Sequence, residues 1–220
     1  MVIRTPTEVI EPSESEKLHQ VMKFAEHLQN SEESVRGALN KRIGAMQILG
    51  RVANFRTRKM IADGILMSKL IYLIELWGGS SKYLLEVLQK AQNRTARAVT
   101  KLDWSTPVAE LLKQCGWLSV HQLIVYHSVV LVHKVMQNKS PKYLHSMFAA
   151  EYQYKTKQAH NGLIKHTRDL DLEITKDSFR WRAAKSYNEL PLSIRNTASL
   201  EAFKKGTKAW IKMNTSLHTD

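Results

Sequence analysis

The sequence predicts an all-α protein, a bundle of about six to eight helices, with either a small β-hairpin or an ordered loop near residues 152–174. Three observations predict it. Apolar residues recur at helical spacing through most of the 220 positions. Helix starts are marked by Ser or Asn followed three residues later by Glu or Gln, at Ser13/Glu16, Asn30/Glu33 and Ser119/Gln122. Helix stops are marked by Gly78-Gly79, Gly116 and Leu190-Pro191.

Residues 1–12 read as an extended lead-in, because Pro6 and Pro12 disfavour a helix. From Ser13 the residues Leu18, Val21, Met22, Ala25 and Leu28 share one helix face as far as Asn30. A second helix follows, carrying Val35, Leu39, Ile43, Met46 and Leu49 up to about Ala53. Arg51, Arg56, Arg58 and Lys59 then surround Phe55, in a turn or at the base of the next helix.

The stretch from Ile65 to Val99 organises the prediction. Its first part, within a helix from about Thr57 to Trp77, is apolar on nearly every side, which belongs in a core. At 13 residues from Ile65 to Trp77, interrupted by Lys69 and Glu75, it falls short of the roughly 20 that a membrane span needs. Gly78 and Gly79 are expected to end it with positive φ, and Ser80 or Ser81 to cap a basic helix running to about Leu102.

Pro107 opens a short helix from Val108 to Gln114, ended by Gly116. The next start is the clearest in the chain, with Ser119 as cap, Gln122 closing the box and Leu118 placed to staple onto Leu123. That helix runs to about Gln137 and is apolar on most sides. Ser140-Pro141 begins another, to about Phe148. Helical spacing fails from Glu151 to Thr175, returns over Ser178–Tyr187, and returns again from Ser199 to about Met213.

Charge is uneven. The net charge is +13, but residues 1–35 carry 3 Lys/Arg against 7 Asp/Glu, while residues 36–139 carry 16 against 5. A polyanion-binding face is therefore expected after the first helix. Its best candidate is the stripe Lys90, Arg94, Arg97 and Lys101, spaced by four, three and four residues and so on one helix face. Arg51, Arg56, Arg58 and Lys59 form the second candidate group.

Catalytic signatures are missing from the sequence. No paired carboxylates suit a two-metal reaction; Asp63 stands alone beside Gly64, and Asp169, Asp171 and Glu173 alternate without a partner. His121, His127 and His133 recur every six residues, which points them in different directions on a helix. The single cysteine, Cys115, excludes a disulfide framework and has no adjacent base. No phosphate loop or dinucleotide fingerprint is present. The expectation is no cofactor, no metal, no small-molecule substrate, no membrane segment and, without a signal peptide, an intracellular location.

Several phrases in order resemble one family. SKLIYLIELWGG, LQKAQNRTARAV, LLKQCGWLSVHQLIVYH, SPKYL, SFRWRAAKSYNELPLSIRN and SLEAFKKGTKAWI are similar to the region beyond the palm in reverse transcriptases of non-LTR (LINE- and Jockey-like) retrotransposons. The resemblance covers roughly Val35 to Ile211. It implies a thumb-like helical domain over residues 31–148 and a C-terminal extension with two helices over residues 149–220, after the lead-in and acidic helix of residues 1–30. It also implies that the catalytic aspartates belong to an upstream palm that this chain lacks, so that the chain is not itself an enzyme. At the palm–thumb junction the family carries a Leu-Gly pair and a Trp-x-x-His segment. Here only Glu26-His27-Leu28 is kept, as in a truncated copy.

The function expected from residues and resemblance together is non-catalytic binding of template–primer RNA or an RNA–DNA duplex through the basic stripe. Phosphate contacts would set affinity, with Trp77, Trp104 and Trp117 packed in the core or, as the alternative, stacked on bases. The alternative is a helical protein–protein interaction module with an exposed apolar groove, in a decayed or host-adopted fragment.

Overall fold

The structure, a computed structural model, describes residues 37, 40–41, 43–44, 47–48, 53–72, 74, 78–79, 81–137, 139–141, 144, 148, 164 and 178–214. Among these the chain is helix and turn, with no strand. The expected lead-in and acidic helix and the hairpin or loop near 152–174 lie outside the described residues, apart from Ile164, as do Arg51, Leu73 and Trp77. Described positions between Gly37 and Ile48 are helical, and Ile43 is buried in the core.

Helix α1 (Phe55–Ile61) begins where Asn54 accepts a hydrogen bond from the Thr57 N–H at 2.9 Å. It passes into a π-helical turn, Ala62–Met67, and then α2 (Ser68–Ile71). The expected single helix from Thr57 to Trp77 is therefore interrupted. The Ser68 N–H reaches back to the Asp63 carbonyl, and Tyr72 leaves the helix at φ −58°, ψ 118°. Gly64 weakens the helix at this point, and the Ser68 hydroxyl bonds the Gly64 carbonyl, a back-bond that bends helices. The run is also not buried all round. Ala62, Leu66, Met67, Leu70 and Ile74 are buried, whereas Met60, Ile65 and Tyr72 face solvent.

Ser81 caps α3 (Lys82–Thr100), accepting from the Leu84 N–H at 3.3 Å. Helix α4 (Val108–Cys115) closes with Gly116 at φ +67°: Gly116 N–H donates to Lys113 O and Trp117 N–H to Leu112 O, the paired bonds of a Schellman ending. Helix α5 (Val120–Met136) carries the expected capping box in full, Ser119 with Gln122. Ser178 caps α6 (Phe179–Glu189), which ends at Leu190, held extended by the following proline. A short α7 (Leu192–Arg195), absent from the sequence reading, precedes α8 (Leu200–Met213), capped by Ser199.

Helix α5 is the hub. It packs against α3 on one side and against α6 and α8 on another, while α3 also carries α1 and α4. One hydrophobic core runs from Leu66 and Ile74 through Leu111, Val129 and Val132 to Ala183 and Phe203. Gly78 lies at the close approach of the 78–79 turn to α5: a Cβ there would stand 2.7 Å from Ile124 Cγ2. Its φ is not positive, contrary to the expectation; what it supplies is space.

No single helix among the described residues is long and apolar enough to cross a membrane. Helices α4 and α5 pass such a test only jointly; they are bent by 44°.

Candidate nucleic-acid interface

Helix α3 divides cleanly. Leu84, Leu88, Ala91, Gln92, Thr95, Ala96 and Val99 face the core. Gln92 is anchored there by donating to the Leu118 carbonyl at 2.8 Å, and the adjacent Gln89 accepts from the Val120 N–H at 2.9 Å. These bonds fix the helix against the start of α5, so its opposite face is held in a defined orientation.

Lys90 and Arg94 are exposed on that outer side, and Lys101 is exposed beyond the helix end. Lys90 Nζ lies 3.8 Å from Glu86, but both side chains are about two-thirds in solvent (69% and 67%), where such a pair contributes little. Among the described residues Arg94 and Lys101 have no ion-pair partner. Lys101 lies just past the helix end, at φ 55°, a left-handed conformation more usual for glycine.

Arg97 differs from its three companions. Its guanidinium donates to the carbonyls of Asp103, Trp104 and Thr106 at 3.3, 2.9 and 3.3 Å, and lies 4.6 Å from the centre of the Trp104 ring. It ties the following turn to α3. Trp104, expected in the core, is instead 78% exposed. The sequence carried a signal for this: Asp103 and Ser105 are turn residues, Pro107 follows, and the tip of such a turn points outward. Trp117 is buried as expected, and its indole N–H donates to Asp63 at 2.7 Å.

The second basic group does not form one surface. Arg58 is 7% exposed. Its Nε donates to the Val99 carbonyl at 2.7 Å and a terminal nitrogen to the Ala53 carbonyl at 2.6 Å. It satisfies a carbonyl in the last turn of α3, where positive charge is favourable. Its position was readable: Arg58, Ala62, Leu66 and Leu70 recur every fourth residue on the buried side. Lys59 is paired with Asp63 at 2.6 Å. Of the described members only Arg56 is exposed.

Other chemistry is muted. Burial pushes the Cys115 thiol up to about 11, which keeps it protonated near neutral pH. His121 is exposed, His127 half-buried, and His133 buried and stacked on Phe203 with centroids 3.6 Å apart. No cluster of three or more His, Cys, Asp or Glu among the described residues could hold a metal ion. A recess of about 280 Å³ opens beside Asp63, Trp117, Tyr126, His127 and Lys208. That is at or below the lower end for small-ligand sites, and its carboxylate is already committed to Lys59 and Trp117.

No family model, no curated protein and no solved structure matches this chain.

Proposed function

We propose that the chain is a non-catalytic nucleic-acid-binding element, a thumb-like fragment of a retroelement reverse transcriptase, and that it holds an RNA or RNA–DNA duplex by its phosphates. One observation carries this reading: Lys90 and Arg94 stand exposed on the outer side of a helix whose inner face is locked into the core, and Lys101, just past its end, is exposed as well. They span about 16 Å along the helix axis, enough for several phosphates of one strand at about 3.4 Å each. The phrases similar to non-LTR reverse transcriptases support the same reading. Arg58 is left out of the phosphate set because it is buried, and Arg97 because three of its five N–H donors already bind carbonyls of the following turn.

The test is the salt dependence of duplex binding. Each lost phosphate contact lowers the slope of log K against log salt by about 0.7–0.9. Changing Lys90, Arg94 and Lys101 together to Gln should therefore flatten it by roughly 2 to 3, with similar losses on unrelated sequences. An unchanged affinity and slope would reject this face.

A second reading, a protein-interaction module, has one observation of its own: Ile65 and Tyr72, seven residues apart on the α1–α2 segment, are 45% and 63% exposed. Retained nucleic-acid affinity in an Ile65→Ser/Tyr72→Ser variant would separate the two surfaces.

A further inference from the structure

The turn after α3 presents an aromatic ring in a prepared position. The Thr106 N–H donates to the Asp103 carbonyl at 3.1 Å and the Ser105 N–H to the Asp103 carboxylate at 3.3 Å, closing the turn on itself. Arg97 then binds three of its carbonyls from the helix side. The same guanidinium sits 4.6 Å from the Trp104 ring centre, yet the residue stays 78% exposed. An indole on a loose loop would lose freedom on meeting a ligand; this one has little left to lose.

Its surroundings select the kind of ligand. Lys101, three residues before it, is exposed, and Arg94 is one helical turn before Arg97 on the same side of α3. An apolar protein surface would have to desolvate these cations against nothing. A polyanion with flat, stackable groups satisfies both the charges and the ring, and nucleic acid has that chemistry.

We propose that Trp104 is a stacking platform for an unpaired base, in a single-stranded RNA or DNA segment whose phosphates run along Arg94 and Lys101. The inference rests on the reading of α3 as a phosphate-binding face. It extends that reading from duplex to single strand, because within a duplex the base faces are already stacked on one another. Arg97 acts here as a positioning residue, holding the turn and backing the indole.

The experiment uses the full chain, a labelled oligothymidylate of about 12 nucleotides and a blunt duplex of similar length, each titrated at several salt concentrations. Trp104→Ala should weaken strand binding roughly ten-fold, a typical loss for one stacked base. The salt slope should not move, since no phosphate contact is removed, and duplex binding should not change. Trp104→Phe should retain most of the affinity, whereas Trp104→Leu should not, which separates stacking from bulk. Equal thermal midpoints for all three variants show that the fold is intact, as expected for an exposed residue. Strand binding by Trp104→Ala equal to wild type, or equal losses on strand and duplex, would overturn the stacking proposal while leaving the basic face standing. Absence of salt-dependent binding of either probe by the wild-type chain would overturn both.

Discussion

Trp117 donates its indole N–H to Asp63 across 54 positions of sequence, at 2.7 Å, and so fastens the loop between α4 and α5 to the π-helical turn. The other carboxylate oxygen of Asp63 takes Lys59 at 2.6 Å. The two bonds are not equivalent. The ion pair is about a third or more in solvent on each side, while Trp117 is buried. Trp117→Phe should therefore destabilise the chain by about 1–2 kcal/mol, and Lys59→Met by less than about 1 kcal/mol. Urea unfolding checks the order; a larger loss for Lys59→Met would mean that the ion pair holds the segment.

Arg58 should be a stability residue. Arg58→Met leaves the Val99 and Ala53 carbonyls without their donor and should cost about 2–3 kcal/mol. Arg58→Lys should recover only part of this, since one ammonium cannot reproduce the two-pronged reach of a guanidinium. Arg56→Gln, two residues away and exposed, should stay within about 0.5 kcal/mol. Equal unfolding midpoints for Arg58→Met and Arg56→Gln would contradict the buried assignment.

His133 should make the fold acid-sensitive. Burial lowers its pKa, offset in part by the Thr197 carbonyl and reinforced by Lys139. The folded state thus keeps the ring neutral while the unfolded chain, near the ordinary 6.5, takes up a proton. This contribution is complete above the unfolded value and is lost as pH falls below it, down to the lowered folded value. His133→Phe, which can still stack on Phe203, should lose less stability between about pH 7.5 and about pH 5.5 than wild type does. Parallel curves for the two proteins would remove His133 as the source.

Lys101 combines a strained backbone with an exposed charge. Lys101→Gly should stabilise the fold by about 0.5–1 kcal/mol, because glycine adopts a left-handed helix end without the Cβ clash. The same change should lower the salt slope of nucleic-acid binding by about 0.7–0.9. Thermal unfolding and a salt titration on one preparation measure both; a lower melting point would show that the lysine side chain holds the helix end.

Much of the helical framework was legible before any coordinates. Ser81, one of two candidates, and Ser119 each cap the helix that follows, and Gly116 ends α4, because a cap is a bond between residues a few positions apart; Asn54, Ser178 and Ser199 are caps that the sequence reading did not assign. The exposed Lys90 and Arg94 followed from helical spacing alone.

Tertiary structure decided what depends on distant partners. Two apolar runs, 65–77 and 120–136, compete on paper for the centre; only packing made α5 the hub and left Ile65 and Tyr72 in water. Arg58 shares a helical row with Ala62, Leu66 and Leu70, but its partner, the Val99 carbonyl 41 residues later, is supplied only by the fold. Arg97 reads as part of a free stripe until the chain turns back at Asp103–Thr106 and brings Trp104 over its guanidinium. Sequence by itself determined where α3, α4 and α5 begin and which of their faces carry charge, because those forces act within one turn of chain; it did not show the π-helical interruption at Ala62–Met67 or the short α7. Which cations stay exposed was decided by the tertiary structure, since a guanidinium bonded to the protein's own carbonyls has few donors left to give.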